Sequence, residues 1–355
     1  MLKEVIAELA PKVDKAIDEF LKRHVEEAEK LSVFHREYYA NLHEFLLRGG
    51  KRLRPVAFIA AYESVGGRDL EAAVEASICV ELLHNSSLIH DDIIDRDELR
   101  RGGKTIHAKY RDWLKQLKAR GDAEHFGVSM GILAGDSLFN LGFKALASAR
   151  FRDDLKLRAL KLYLEAYEQL INGVVLDTYL PLAGEVGEEH YLTMVKLKTG
   201  ALFEKSLTIG ATLADASTSQ LNALSHYALL AAQGFQIQDD IIGLYGTEEE
   251  IGKPVGSDIR EGKMTLLVIK ALEQAPRKDR DKLKELLGKQ TLTNEEVEEA
   301  RRIIEDSGAL SYAKELASKL VDEAKQWLRR ADPPLTNRAV SFFEELADFF
   351  IQRSY

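Results

Sequence analysis

Apolar residues recur at intervals of three and four along almost the whole chain, as in Leu155, Leu157, Leu160, Leu162, Leu164 and Leu170. This is the period of an α-helix with one face in a core. Strict alternation bounded by turn pairs, the pattern of a half-buried strand, is nearly absent. Only seven prolines occur in 355 residues, and none lies between Pro55 and Pro181. A proline-free stretch of that length, rich in Ala, Leu, Glu and Lys, predicts long helices. Breaks are expected at Gly49-Gly50, Gly66-Gly67, Gly102-Gly103 and Gly121-Asp122, from Pro181 to Gly187, from Gly243 to Gly262, and at Pro276 and Asp332-Pro333-Pro334. Thr293 with Glu296 reads as a capping box and Gly308 as the stop of that helix. None of these breaks has the composition of a flexible linker. The expectation is an all-α fold: a large helical bundle with residues 1–355 as a single domain.

Two of the predicted helices, Ala76 to Arg101 and Leu221 to Ile242, are apolar on most faces, which places them at the centre of the bundle. Each carries acids toward its C-terminal end. The first has His90-Asp91-Asp92-Ile93-Ile94-Asp95, the second Gln238-Asp239-Asp240-Ile241-Ile242-Gly243. Carboxylates on a largely buried helix are costly unless they are paired or bind a cation. Asp91 and Asp95 are four apart and share a face, with Asp92 about 100° round. Hard oxygen donors at this spacing suit Mg²⁺, which keeps several waters and takes one or two carboxylates plus phosphate oxygens of a substrate. One such cluster alone reads more readily as a solvated acidic face. Two of them, each inside an apolar helix, read as a cage for divalent metal, which in turn needs an anion.

Bulk composition narrows the choice of anion. The formal net charge of −9 argues against nucleic acid as a partner, which calls for a broad basic surface. A single cysteine, Cys79, excludes an internal disulfide and fits a reducing compartment. The N-terminal segment is amphipathic and rich in acids, unlike a signal peptide, and no stretch reaches the roughly 18 uncharged apolar residues of a membrane span. A cytoplasmic location without a membrane span is therefore the expectation.

Short basic and glycine-containing elements supply candidate anion holders. Gly49-Gly50-Lys51-Arg52-Leu53-Arg54-Pro55 opens a helix, whose N-terminus favours anions. Arg100-Arg101-Gly102-Gly103 follows the first acid cluster and ends its helix. Lys198-Thr199-Gly200 and the run from Gly252 to Lys263 are two more. Any one of them alone reads as a solvated turn. Together they suffice for two diphosphate-sized anions, one with metal and one without.

The set GGKRLRP, HNSSLIHDDIIDRDELRRGGKTIH, KTGALF and GFQIQDDIIGLYG…GKPVGSDIREGKMTLL, co-linear from about Gly49 to Lys270, resembles the short-chain trans-isoprenyl diphosphate synthases, or prenyltransferases. The resemblance implies the isoprenoid-synthase helical bundle, with a central cavity between the helices that carry the two aspartate motifs. It implies that Asp91, Asp92, Asp95 and Asp239 hold three Mg²⁺, with Mn²⁺ as a substitute, on the diphosphate of an allylic substrate. Arg100, Lys198, Lys253 and Lys263 would complete that grip. Lys51, Arg54, His84 and Arg101 match a metal-free pocket for isopentenyl diphosphate. Thr199, Gln236 and Asp177 stand where the family lines the cation region or positions metal and lysine. His90 is equally a core histidine, and Arg353 is either a cover for the isopentenyl site or a surface residue. The implied chemistry is ionisation of the allylic diphosphate, attack by the olefin of isopentenyl diphosphate, and loss of a proton. A homodimer is also implied.

Two positions depart from the family pattern. Gly243 stands where many members carry a third aspartate, and Val174 where most carry glutamine. The growing tail should run from Asp91 along the preceding helix, past Ser87 and Ser86, about 6–7.5 Å away. Both are small, so the next expected floor is Leu83 and Leu82, then Cys79, with Phe139 or Leu138 intruding. This, with the short DDxxD form, points to geranylgeranyl diphosphate (C20), with farnesyl (C15) as precursor or co-product and geranylfarnesyl (C25) as the alternative. Other readings are a class I terpene cyclase, which has no use for Lys51, Arg54 and Arg101 as a second pocket, and head-to-head synthases, which lack GGKRLRP. A non-catalytic subunit of a prenyl synthase usually has eroded aspartates, and a bland helical scaffold leaves the clustered acids and bases unexplained.

Overall fold

The computed structural model describes residues 1–118, 120–183, 186–246, 256–289 and 291–352. Their regular structure is helical apart from one two-stranded hairpin, so the all-α expectation holds. They form two compact units, Met1–Tyr163 with Ser206–Ala216, and Leu164–Lys205 with the chain from Ser217 onward.

The first unit contains α1 (Leu2–Glu29), α2 (Val33–Leu47), α3 (Leu53–Ser64), α4 (Leu70–Ile94), the strands β1 (Leu99–Arg100) and β2 (Gly103–Lys104), α5 (Ile106–Gln116), α6 (Ala123–Ala147) and the start of α7 (Asp153–Tyr179). Helix α4 is its axis. Val74, Ile78, Val80, Leu82, Leu83 and Ile89 are all buried, on several faces of the helix. Each such side chain contributes roughly 1.5–3 kcal/mol on leaving water. It packs along α6 at close range because α6 presents small residues there. A Cβ on Gly135 would fall 2.1 Å from the His90 ring, and one on Gly131 2.6 Å from the Ile93 side chain. A Cβ on Gly142 would fall 2.9 Å from the Cys79 carbonyl oxygen. This interlock fixes the register of α4, and with it the level of the acid cluster.

Both ends of α4 differ from the pattern reading. It begins at Leu70 rather than Ala76, because Asp69 caps it by accepting from the Ala72 amide at 3.0 Å. It stops at Ile94 rather than Arg101, because Arg96 turns left-handed (φ 59°) and the Asp97 amide donates back to the Asp92 carbonyl at 2.9 Å. The basic run therefore lies on a hairpin, Leu99 opposite Lys104 and Arg100 opposite Gly103. Its two turn residues, Arg101 and Gly102, both have positive φ (51° and 74°), the geometry of a tight type I′ turn.

The second unit holds the rest of α7, a 3₁₀ turn (Leu180–Leu182), α8 (Glu188–Val195) and a π-helical turn (Lys196–Gly200). It continues with the start of α9 (Ala201–Leu213), α10 (Thr218–Tyr245), α11 (Ser257–Glu261), α12 (Leu266–Gln274), α13 (Arg277–Leu286), α14 (Asn294–Asp306), α15 (Ala309–Leu328) and α16 (Asn337–Ile351). Helix α10 is central here, packed along α15, α16 and the π turn. A Ser217/Gln220 capping box starts it. Its C-terminal end is tied to α14, where Arg301 donates to the Leu244 carbonyl at 2.7 Å. The Thr293/Glu296 capping box of α14 is present as expected, and Gly308 follows its end with φ 84°.

Among the described residues α6 alone is long and apolar enough to cross a membrane by length and composition, although Glu124, Asp136 and Lys144 interrupt it and it holds no run of 18 uncharged apolar residues. Of its most apolar window 44% is buried inside the protein, chiefly by the glycine-lined contact with α4 and α5.

Candidate active site

In the first unit the acids behave as helical geometry requires. Asp91 and Asp95 lie one turn apart and are partly exposed, whereas Asp92 is fully buried. Asp92 Oδ1 accepts from Arg100 Nε at 2.5 Å, and Asp92 Oδ2 has no hydrogen-bond partner among the described residues. Burial pushes the Asp92 carboxyl up to about 6, with the Arg100 guanidinium opposing it. The structure thus brings Arg100 to Asp92 and leaves Asp91 and Asp95 as the outward pair. Two hard carboxylates a turn apart fit Mg²⁺ that completes its shell with water and substrate oxygens. Among the described residues no three His, Cys, Asp or Glu side chains cluster as a metal site on their own.

Seven residues before Asp91, on the same helix, begins a cationic cluster. Gly49 and Gly50 (φ 97° and 138°) and Arg52 (φ 50°) bend the chain just ahead of α3. Arg101 donates to the Gly49 carbonyl at 2.9 Å, so the hairpin tip is fastened onto this loop. His84 is held well below the ordinary imidazole value, first by burial and then by the charges of Arg54, Arg101, Arg100 and Arg52. Burial likewise lowers Arg101, with Arg52 and Arg100 adding to the effect. A buried imidazole and a guanidinium that also feel neighbouring positive charge make a site that favours an anion. Lys51, Arg54, His84 and Arg101, which the sequence grouped, are here, with Lys51 exposed at the rim.

Pattern reading missed what holds this loop. Arg52 is buried and donates to Asp14 and Glu81, each at 2.7 Å, and to the Leu46 carbonyl at 2.6 Å. Glu81 Oε1 also accepts from Asn85 Nδ2 at 3.1 Å. The signal was available: an acid at position 81 within an apolar helix needs a partner. The proposed tail path is also in this unit. Ser86, Leu82, Leu83, Cys79 and Leu138 are buried, and the Ser87 hydroxyl donates to the His84 carbonyl at 2.7 Å. Beside Cys79, the Tyr163 hydroxyl donates to the Phe139 carbonyl, and the two rings stack at 5.6 Å. A Cβ on Gly142 would meet that hydroxyl at 2.3 Å, so Tyr163 stands at the level of Cys79.

In the second unit the π turn carries Lys198 and Thr199. Gly173 lets α7 pass it, since a Cβ there would fall 2.2 Å from the Lys198 amide nitrogen. Lys198 Nζ donates to Asp177 Oδ2 at 2.6 Å, and Thr199 Oγ1 to Gln236 Oε1 at 2.8 Å. On α10, Asp239 is partly exposed and Asp240 is buried. Asp240 accepts from Gln236 Nε2 at 2.9 Å and from the Tyr191 hydroxyl at 2.7 Å. Asp258, unassigned from sequence, places Oδ2 3.2 Å from where a Cβ on Gly243 would lie. The glycine at the third-aspartate position therefore borders another carboxylate. Lys263 pairs with Glu261 at 2.7 Å and lies 4.0 Å from Asp258. Lys253 and Arg353 lie outside the described residues.

Asp240 is pushed up to about 8, by burial first and by the Asp258 charge next. The native chain therefore holds this proton more tightly than the unfolded chain does, and native stability falls as pH rises from about 4 to about 8. In magnesium-free buffer between pH 6 and 8, the melting midpoint should fall with pH by up to about 2 °C per unit relative to D240N. Parallel curves for the two proteins would show that Asp240 does not titrate there.

The polyprenyl synthetase family matches residues 35–304. A short chain isoprenyl diphosphate synthase of Methanocaldococcus jannaschii is 39% identical over 303 residues, 84% of this chain and 83% of that protein. A geranylgeranyl pyrophosphate synthase of Geoglobus acetivorans is 35% identical over the full length of both. The crystal structure of a geranylgeranyl pyrophosphate synthase from Corynebacterium glutamicum, complexed with isoprenyl diphosphate and magnesium, superposes with a TM-score of 0.91 at 27% identity, covering both chains completely. The acid-bearing helices, the glycine-hinged cationic loop and the lysine-threonine turn are thus met in a chain that belongs to the polyprenyl synthetase family.

Proposed function

We propose that this protein is a short-chain trans-prenyltransferase that condenses isopentenyl diphosphate with allylic diphosphates. The observation that carries the reading is on α4 itself: one helix brings an anion-favouring cluster at His84 and a carboxylate pair at Asp91 and Asp95. Two diphosphates need two different grips, and these are two different grips. Lys51, Arg54, His84 and Arg101 bind the diphosphate of isopentenyl diphosphate directly. Asp91 and Asp95, together with Asp239, hold magnesium for the allylic diphosphate, aided by Arg100, Lys198, Lys253 and Lys263. Magnesium held there supplies neutralisation of the charge that develops on the departing diphosphate. The allylic C–O bond breaks and its electrons leave with the diphosphate. The olefin attacks the allylic cation, faced by Thr199 and Gln236, and the proton then lost goes to the released diphosphate.

The family match from 35 to 304 spans residues of both compact units, which supports reading 1–355 as one functional domain. Leu157, Leu164, Ile171 and Val175 form an exposed apolar series on α7, seven residues apart at the first two steps, which supports a homodimer. A cytoplasmic location completes the proposal.

The product follows from the tail path. Cys79 is twelve residues before Asp91, about 18 Å along the helix, and the Phe139–Tyr163 stack lies at its level. A floor there suits C20. Ser86→Phe places a ring in the path two turns closer, so the main product should shorten to C15, read by chromatography of the dephosphorylated prenols. An unchanged distribution would show that the tail takes another route. The function itself is tested with purified protein, Mg²⁺, geranyl diphosphate and labelled isopentenyl diphosphate. Label in a C20 prenol supports it, and a dominant C25 prenol revises the floor. Diphosphate release without label uptake indicates a cyclase, and no turnover a non-catalytic subunit.

A further inference from the structure

Gly103, on β2, is a glycine whose backbone does not call for one, since its φ lies outside the left-handed region. Its missing side chain makes room for Arg48, the residue that ends α2. A Cβ on Gly103 would fall 2.7 Å from Arg48 Cζ, 2.8 Å from Nη1 and 2.9 Å from Nε, so the guanidinium plane lies flat against this strand. From there Nη1 donates to the Lys104 carbonyl at 2.7 Å, while Nε and Nη2 donate to the two oxygens of Glu44 at 2.6 and 2.8 Å. Gly49, the next residue in the chain, returns the contact. Its carbonyl accepts from Arg101 at the hairpin tip, and the Arg101 guanidinium lies 3.6 Å from where a Cβ on Gly50 would be. Residues 48 and 49 thus hold the hairpin at two points. One bond would let the tip swing about it; two set its place.

We propose that Arg48 is a positioning residue for isopentenyl diphosphate: it seats the hairpin on the loop between α2 and α3, so that Arg101 joins Lys51 and Arg54 in one anion-binding set. This rests on the pocket proposed above. Arg48 does not grip the diphosphate itself. Three of its five N–H donors are committed, two of them to a carboxylate that cancels its charge. The base of the hairpin has fastenings of its own, Arg100 to Asp92 and Glu98 to Arg111 at 2.5 and 2.7 Å. Loss of Arg48 therefore frees the tip, which carries Arg101, and leaves Arg100 in place beside the metal-binding acids. An ion pair between residues four apart on a helix contributes little to stability, so the loss is read in binding rather than in melting.

G103A is the sharpest test. Its methyl group meets the far end of a flexible side chain, so Arg48 is displaced while the hairpin backbone stays. R48A and G103A should each raise KM for isopentenyl diphosphate at least about fivefold, with kcat and KM for geranyl diphosphate within about twofold. In R48A the space beside Gly103 is open, so adding G103A should change KM by less than about twofold more. R48K keeps the charge without the planar fork and should stay within about twofold of R48A. An equal rise in both KM values, multiplicative losses in the double variant, or wild-type KM in R48K would overturn the inference. The last would make Arg48 a source of charge alone. Should R48A fail to fold by circular dichroism, G103A and R48K against wild type decide the matter by the same KM comparison. Calorimetric titration of isopentenyl diphosphate into magnesium-free protein separates this inference from the pocket it rests on. If R101A weakens binding and G103A does not, the role of Arg48 falls alone. If R101A leaves binding unchanged, the pocket falls and the role of Arg48 with it.

Discussion

Asp91→Ala should reduce kcat by about a thousandfold while moving the melting temperature by only a few degrees. The carboxylate is partly exposed, so little packing is lost with it. On the proposed function, what is lost is charge stabilisation at the leaving group, where deletion of even one preorganised donor costs about 10²–10³ in rate. The neighbouring position should behave in the opposite way. Asp92 is buried against Arg100, so Asp92→Ala removes the shortest partner of that guanidinium, leaves it Asp97 at 3.6 Å, and lowers stability first. Steady-state kinetics with labelled isopentenyl diphosphate, paired with circular dichroism melts, separate the two. Equal kinetic and thermal losses at both positions would mean that the outward and inward carboxylates do not differ in role.

Arg52→Ala is expected to have the largest effect on stability. Its guanidinium, with 1% of the side chain exposed, is bonded to Asp14, Glu81 and the Leu46 carbonyl. Truncation leaves Glu81, itself 4% exposed, as a buried charge without its partner. Breaking a buried pair in this way costs about 3–5 kcal/mol, although the intact pair need not stabilise the fold against an apolar substitute. A fall of about 4–7 °C in the melting midpoint follows for a chain of this size. The loop held by Arg52 also carries Lys51 and Arg54, so where the variant folds, KM for isopentenyl diphosphate should rise more than KM for the allylic substrate. A cost below about 1 kcal/mol, measured by urea unfolding, would show that the network is slack.

The acids and the basic loop were legible because their message is local. Asp91 and Asp95 are four residues apart, and the helical period alone puts them on one face. The hairpin was not legible. Arg100 and Arg101 follow an apolar helix, and only the left-handed turn at Arg96 shows that the helix has already ended. Asp92 reads like its neighbours in sequence, yet its burial assigns it to Arg100. Tyr191 carried no signal at all, being one tyrosine among twelve.

Period and composition thus establish the all-α architecture and the helices that bear carboxylates, since a 3.6-residue repeat is written into neighbouring positions. Which acids face outward and which partner each inner acid holds depend on residues far apart in the chain. Tyr191 meets Asp240 across 49 residues and Arg52 meets Glu81 across 29. Those choices come from burial: in a dry interior every donor must find an acceptor, and only packed helices decide which one is within reach.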